Sequence, residues 1–108
     1  MIFNKTNNSI ISKNEKICST IFSQSLGLMF KSKQNLVMIF PTERIIKLHN
    51  FFVFYPLTIV VLDKKQRIME IKHRFKPFTF WNSAKQGKYV IELAEENNTL
   101  KVGQQLEL

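Results

Sequence analysis

Hydrophobic positions in this chain fall in short runs separated by polar clusters, and few of them recur at helical spacing. The longest run extends from Phe51 to Leu62, with His49-Asn50 before it and Asp63 after it. It is almost unbroken aromatic and β-branched, the composition of strands buried on both faces. Pro56 interrupts it. Proline cannot donate to a ladder, so the chain should bend or bulge there and resume as a strand over Leu57–Leu62.

Further runs predict further strands. Ile2-Phe3-Asn4 and Ile10-Ile11-Ser12 flank an Asn7-Asn8 turn, and Lys16-Ile17-Cys18-Ser19 follows. Leu36 to Phe40 reads as a buried strand stopped by Pro41, residues 42–48 as a loop, and Lys47–Val53 as the next strand. Asp63 to Gln66 is a polar turn from which Arg67–Lys72 returns as the second arm of a hairpin. Residues 75–87, with Pro77, Trp81 and Gly87, read as a long loop. In Lys88 to Leu93 the alternation puts Tyr89, Ile91 and Leu93 on the core side. A polar break over Glu95–Thr99 precedes Leu100–Val102 and a last short strand over Gln105–Leu108. One short helix is expected, capped by Ser19 or Thr20 and stopped by Gly27.

Many short strands with one helical turn predict a mainly β fold, a small antiparallel sandwich or partly closed barrel. With 108 residues the chain has room for a single domain spanning 1–108. Cys18 is the only cysteine, so neither an intramolecular disulfide nor a thiolate zinc site is expected. The polar N-terminus is unlike a secretory signal, and the longest apolar run falls short of the roughly 18 to 20 residues that span a bilayer. A soluble cytoplasmic protein, with no membrane contact, is the expectation.

Charge changes this picture. The formal net charge is +8. Residues 64–88 carry Lys64, Lys65, Arg67, Lys72, Arg74, Lys76, Lys85 and Lys88 against Glu70 alone, whereas residues 89–108 set Lys101 against Glu92, Glu95, Glu96 and Glu107. A basic character polarised along the chain favours an anionic partner.

Several segments also resemble a known family. Gly27-Leu28-Met29-Phe30, Val37-Met38-Ile39-Phe40, His49-Asn50-Phe51-Phe52 and Pro56-Leu57-Thr58-Ile59-Val60-Val61-Leu62-Asp63 resemble the "domain of unknown function 192" family. Lys76-Pro77-Phe78, Tyr89 to Leu93 and Gly103 continue the match in order over about residues 17–108. The resemblance implies a small, mostly β domain and brings no biochemical activity with it. Several polar positions depart from the family pattern. Ser23 and Gln24 replace a Glu-Arg pair, Thr58 an acid after Pro-Leu, Gln104 the aspartate of Gly-Asp, and Val37 the glycine of a Gly-Met pair. A catalytic or metal site built on those acids should be missing here.

Two surfaces qualify as binding sites. One is an apolar cleft between the helix end (Leu28, Met29) and the Phe51–Tyr55 strand, with His49, Asn50, Tyr55 and Thr58 as polar anchors. The other is Lys72-His73-Arg74-Phe75-Lys76-Pro77-Phe78-Thr79-Phe80-Trp81, in which Lys72, Arg74 and Lys76 interleave with aromatics ending at Trp81. That pattern suits phosphate neutralisation and base stacking, and equally suits an aromatic plug of Phe75, Phe78 and Trp81 with solvated cations. His49 beside Asp63, His73 or Glu92 could serve a hydrolase, and Cys18 could pair with it as a nucleophile, but neither spacing is that of a known catalytic or metal motif. No catalytic residue, metal or cofactor is assigned. The expectation is a non-enzymatic β domain that binds a ligand or partner, as a monomer or weak dimer. Weak binding of single-stranded nucleic acid through residues 72–81 is the first alternative, a hydrolase using His49 the second.

Overall fold

The computed structural model describes residues 1–18, 35–49 and 55–108. Within them the chain forms two sheets. The smaller joins β1 (Ile2–Asn4), β2 (Ser9–Ser12) and β8 (Leu106–Glu107) in the order β2-β1-β8. The larger joins β3 (Glu15–Cys18), β4 (Asn35–His49), β5 (Leu57–Leu62), β6 (Ile68–Phe75) and β7 (Phe80–Leu93) in the order β3-β4-β7-β5-β6. This is the β-rich class expected, as two packed sheets rather than a closed barrel. No helix occurs among the described residues. The helix expected from Ser19 to Gly27 lies outside them, as do Met29, Asn50 and Phe51 to Phe54. One pair departs from the antiparallel scheme: β3 runs parallel to β4. The connection between them, residues 19–34, is long enough for the crossover that parallel strands need.

The Leu57–Leu62 strand forms where the apolar pattern puts it, and its six residues are all buried. Leu57, Ile59 and Val61 enter a core with Leu36, Met38, Ile46, Leu48, Phe75 and Val90. Val60 and Leu62 enter the opposite core with Ile2, Val37, Ile68, Ile91, Leu93, Leu100 and Leu106. The first core is covered in part by the bent ends of β4 and β7 through Ile46, Leu48 and Trp81, and the second is roofed by the small sheet through Ile2 and Leu106. Tyr89, Ile91 and Leu93 share the second core as the alternation predicts.

Two sequence expectations are corrected. Pro41 does not end a strand, and residues 42–48 are not a loop: β4 runs through fifteen residues. Its pairing with β7 breaks between Ile39↔Tyr89 and Arg44↔Gly87, so Pro41 sits in a bulge where no ladder donor is required. The Lys88 ammonium donates to the Phe40 carbonyl at 2.9 Å and closes that bulge. Likewise the second half of the presumed loop 75–87 is the start of β7. Its polar residues serve a second bulge, between Ile45↔Gln86 and Lys47↔Asn82. There the buried Ser83 hydroxyl accepts from the Ile46 amide at 2.8 Å and donates to the Lys85 carbonyl at 2.7 Å. The Glu70 carboxylate accepts the Ala84 amide at 2.8 Å and the Lys85 amide at 3.0 Å.

These bulges are needed for shape. A straight strand of fifteen residues would measure about 50 Å, yet the molecule's longest dimension is 33 Å. Bending brings β7 close over β5 at Gly87. A Cβ there would stand 2.2 Å from Val61 Cγ1 and 3.2 Å from the Leu62 carbonyl oxygen. Val61 is fully buried and stiff at χ1, so it has little freedom to give way. Gly87→Ala should therefore cost roughly 1–3 kcal/mol of overpacking, read as a lower urea midpoint. The same change should be tolerated better in a Val61→Ala background. Equal losses in both backgrounds would mean that this contact is not the cause.

Candidate functional site

The paired ends of β5, β6 and β7 enclose a cleft of about 510 Å³ lined by Pro56, Leu57, Thr58, Arg74, Lys76, Ala94, Glu95 and Glu96. Its walls are local consequences of sequence. Thr58 is held in β5 opposite Leu93 and is buried. Arg74 lies in the register slip between Leu57↔Phe75 and Ile59↔Lys72, with φ of +52°. An arginine in the left-handed region is strained by about 1 kcal/mol. The slip aims it across the cleft, where its Nε lies 3.3 Å from Glu96 Oε1. Lys76 follows at the exposed start of the connection to β7. Pro56, Leu57 and Ala94 supply the apolar part, so the cleft joins an apolar wall to two cations and two acids.

Residues assigned to two separate sites thus meet in one. Thr58 comes from the first group, Arg74 and Lys76 from the second. Lys72 is half-buried opposite Ile59 and does not line the cleft. Tyr55 is half-buried against the first core. His49 closes β4 opposite Phe80 in the backbone register, at the far end of β4 from Leu36 and its partner Glu92. Met29 and Asn50 lie outside the described residues. The loop aromatics divide: Phe75 is buried and Trp81 packs against the core, whereas Phe78 is 60% and Phe80 74% exposed. Pro56, Leu57, Ala94, Glu95 and Glu96 also line the cleft and carry no site assignment from the sequence. Their one sequence signal is an acidic pair directly after the last alternating strand, complementary to the cations of 72–76.

Two of the family departures acquire a location. Thr58 puts a neutral hydroxyl at the cleft wall. Gln104 is structural: its Oε1 accepts from Asn4 Nδ2 and the Lys101 amide, each at 2.9 Å, and ties the turn around Gly103 to β1.

Glu92, two residues before Ala94, is the other chemically distinctive group. It is flanked across the sheet by Leu36 and Ile59 and is nearly buried. Burial alone pushes its carboxyl from the ordinary 4.5 up to about 7. Between those values the unfolded chain has released the proton that the folded chain retains, so stability falls as pH rises from about 4.5 through about 7. The shift corresponds to roughly 3 kcal/mol. Glu92→Gln should be the more stable protein at about pH 8 and show a smaller loss of urea midpoint between about pH 5 and pH 8 than the parent. Parallel pH profiles for the two proteins would rule this out.

With the geometry in place, comparison with known proteins is informative about fold and lineage. A protein of unknown function from Novosphingobium aromaticivorans superposes with a TM-score of 0.77 at 19% identity, over 87% of this chain and 74% of that one. A Sinorhizobium meliloti protein described as a "putative transcription regulator" superposes with a TM-score of 0.84 at 16% identity, over 98% of this chain and 88% of that one. At such identities the likeness is one of fold. No curated protein matches the chain. The model of the DUF192 family, "Uncharacterized ACR", matches residues 2–108, and the chain therefore belongs to the DUF192 family.

Proposed function

We propose that this protein is a non-enzymatic binding domain that takes an anionic ligand or partner at the cleft beside Thr58. The supporting observation is the convergence of Arg74 and Lys76 on a cleft whose wall includes Leu57, Ala94 and the buried Thr58. Glu96 engages the Nε side of Arg74, which leaves the other guanidinium donors and the Lys76 ammonium for an anion. Thr58, unlike the lining Glu95 and Glu96, brings no negative charge to oppose one. The apolar wall would hold the uncharged body of the ligand.

A second reading, single-stranded nucleic acid, has its own support: the exposure of Phe78 and Phe80 beside a run of cations. Stacking needs aromatic faces that reach solvent. Nothing specific favours a hydrolase using His49.

Titration calorimetry with inorganic phosphate, glycerol phosphate and succinate tests the cleft. At least one should bind, and Arg74→Ala and Lys76→Ala should each weaken it by about tenfold or more, the worth of a charge-assisted hydrogen bond. Failure of all three anions to bind, or binding that survives both substitutions together, would remove the proposal.

A further inference from the structure

We infer that the outer face of the β4–β7 ribbon is a docking surface for single-stranded nucleic acid, with Phe80 as its stacking platform. This rests on the nucleic-acid reading above but moves the contact away from Trp81, whose ring packs against the core. Beyond the Pro41 bulge, residues 44–49 and 80–86 pair as a two-stranded ribbon through Ile45↔Gln86 and, past the Ser83 bulge, Lys47↔Asn82, Leu48↔Trp81 and His49↔Phe80. Ile46, Leu48 and Trp81 face the core. Strand alternation then turns Lys47, Phe80 and Asn82 outward, and all three are exposed. Phe80 is the most exposed large apolar side chain among the described residues, at 74%. Lys47 stands opposite Asn82 and diagonal to Phe80, within reach of a long side chain.

Each group matches one part of a nucleotide. The phenylalanine ring offers a face to a base, the ammonium a counter-charge to phosphate, and the Asn82 and Gln86 amides a donor and an acceptor to a base edge. The charge pattern selects the same partner. Neither 44–49 nor 80–86 contains an Asp or Glu, whereas Arg44, Lys47 and Lys85 are cationic. Glu70, which reaches this ribbon, has its carboxylate engaged by the Ala84 and Lys85 amides. A polyanion presenting flat, unpaired aromatic faces is single-stranded nucleic acid; a duplex keeps those faces inside its own stack.

Fluorescence anisotropy with a labelled mixed-sequence RNA of about 12 nucleotides, and with the matching duplex, tests this. The single strand should bind more tightly than the duplex, and less tightly at about 200 mM than at about 50 mM salt. Phe80→Ala should weaken it about tenfold or more, and Phe80→Trp should preserve it. Lys47→Ala should weaken it and lower the salt slope by about one. Both residues are exposed, so an unchanged thermal midpoint verifies the fold of each variant. If Phe80→Ala and Lys47→Ala bind as the parent does while Arg74→Ala does not, the ribbon is wrong and the nucleic-acid reading stands. Undetectable binding at low salt overturns both. Equal affinity for duplex and single strand removes the stacking role of Phe80.

Discussion

Burial of β5 on both faces is the constraint from which the rest of this structure follows. Ile59, Val60, Val61 and Leu62 are all at 0% exposure, and each such side chain gains roughly 1.5–3 kcal/mol by leaving water. A strand apolar on both faces needs a cover on each. The small β2-β1-β8 sheet supplies one through Ile2 and Leu106. The bent ends of β4 and β7 contribute to the other through Ile46, Leu48 and Trp81. Hence β4 and β7 are long, β4 has to bulge at Pro41 and β7 at Ser83, and β7 carries glycine where it crosses Val61.

The bulges in turn govern where charge appears. A bulge leaves backbone amides and carbonyls without ladder partners, and a buried polar group left unpaired is costly. Here side chains answer them: Lys88 at the Phe40 carbonyl, Ser83 at the Ile46 amide, Glu70 at the Ala84 and Lys85 amides. The β5–β6 turn is organised the same way, with Asp63 Oδ1 accepting the Lys65 and Arg67 amides. Acids in the basic half of the chain are thus tied to backbone amides, while most of its cations remain at the surface. The surplus of exposed positive charge is in part a by-product of how its strands bend.

The candidate cleft was legible only in pieces. Thr58 was visible as a polar residue inside an apolar run, and Arg74 and Lys76 as cations among aromatics. Their meeting was not visible, because it depends on the β5–β6 register slip that sets the exposed Arg74 beside Glu96 and on the end of β7 arriving beside β5. Glu95 and Glu96 read as an ordinary solvated break. The aromatic segment shows the same limit: composition cannot say which rings face the core, and that division follows strand parity once residues 80–86 are known to pair with β4.

The sequence by itself determined the β-rich class, the family, the doubly buried strand, the β1–β2 and β5–β6 hairpins and the lopsided charge, because each depends on local composition, alternation or turn chemistry. Tertiary structure alone decided that Pro41 and the polar residues 82–87 lie within long strands, that β3 pairs in parallel, and which cations share a cleft with Thr58. Those outcomes rest on contacts between residues far apart in the chain, where the gain from covering β5 outweighs the local cost of a proline, a bulge or a left-handed arginine.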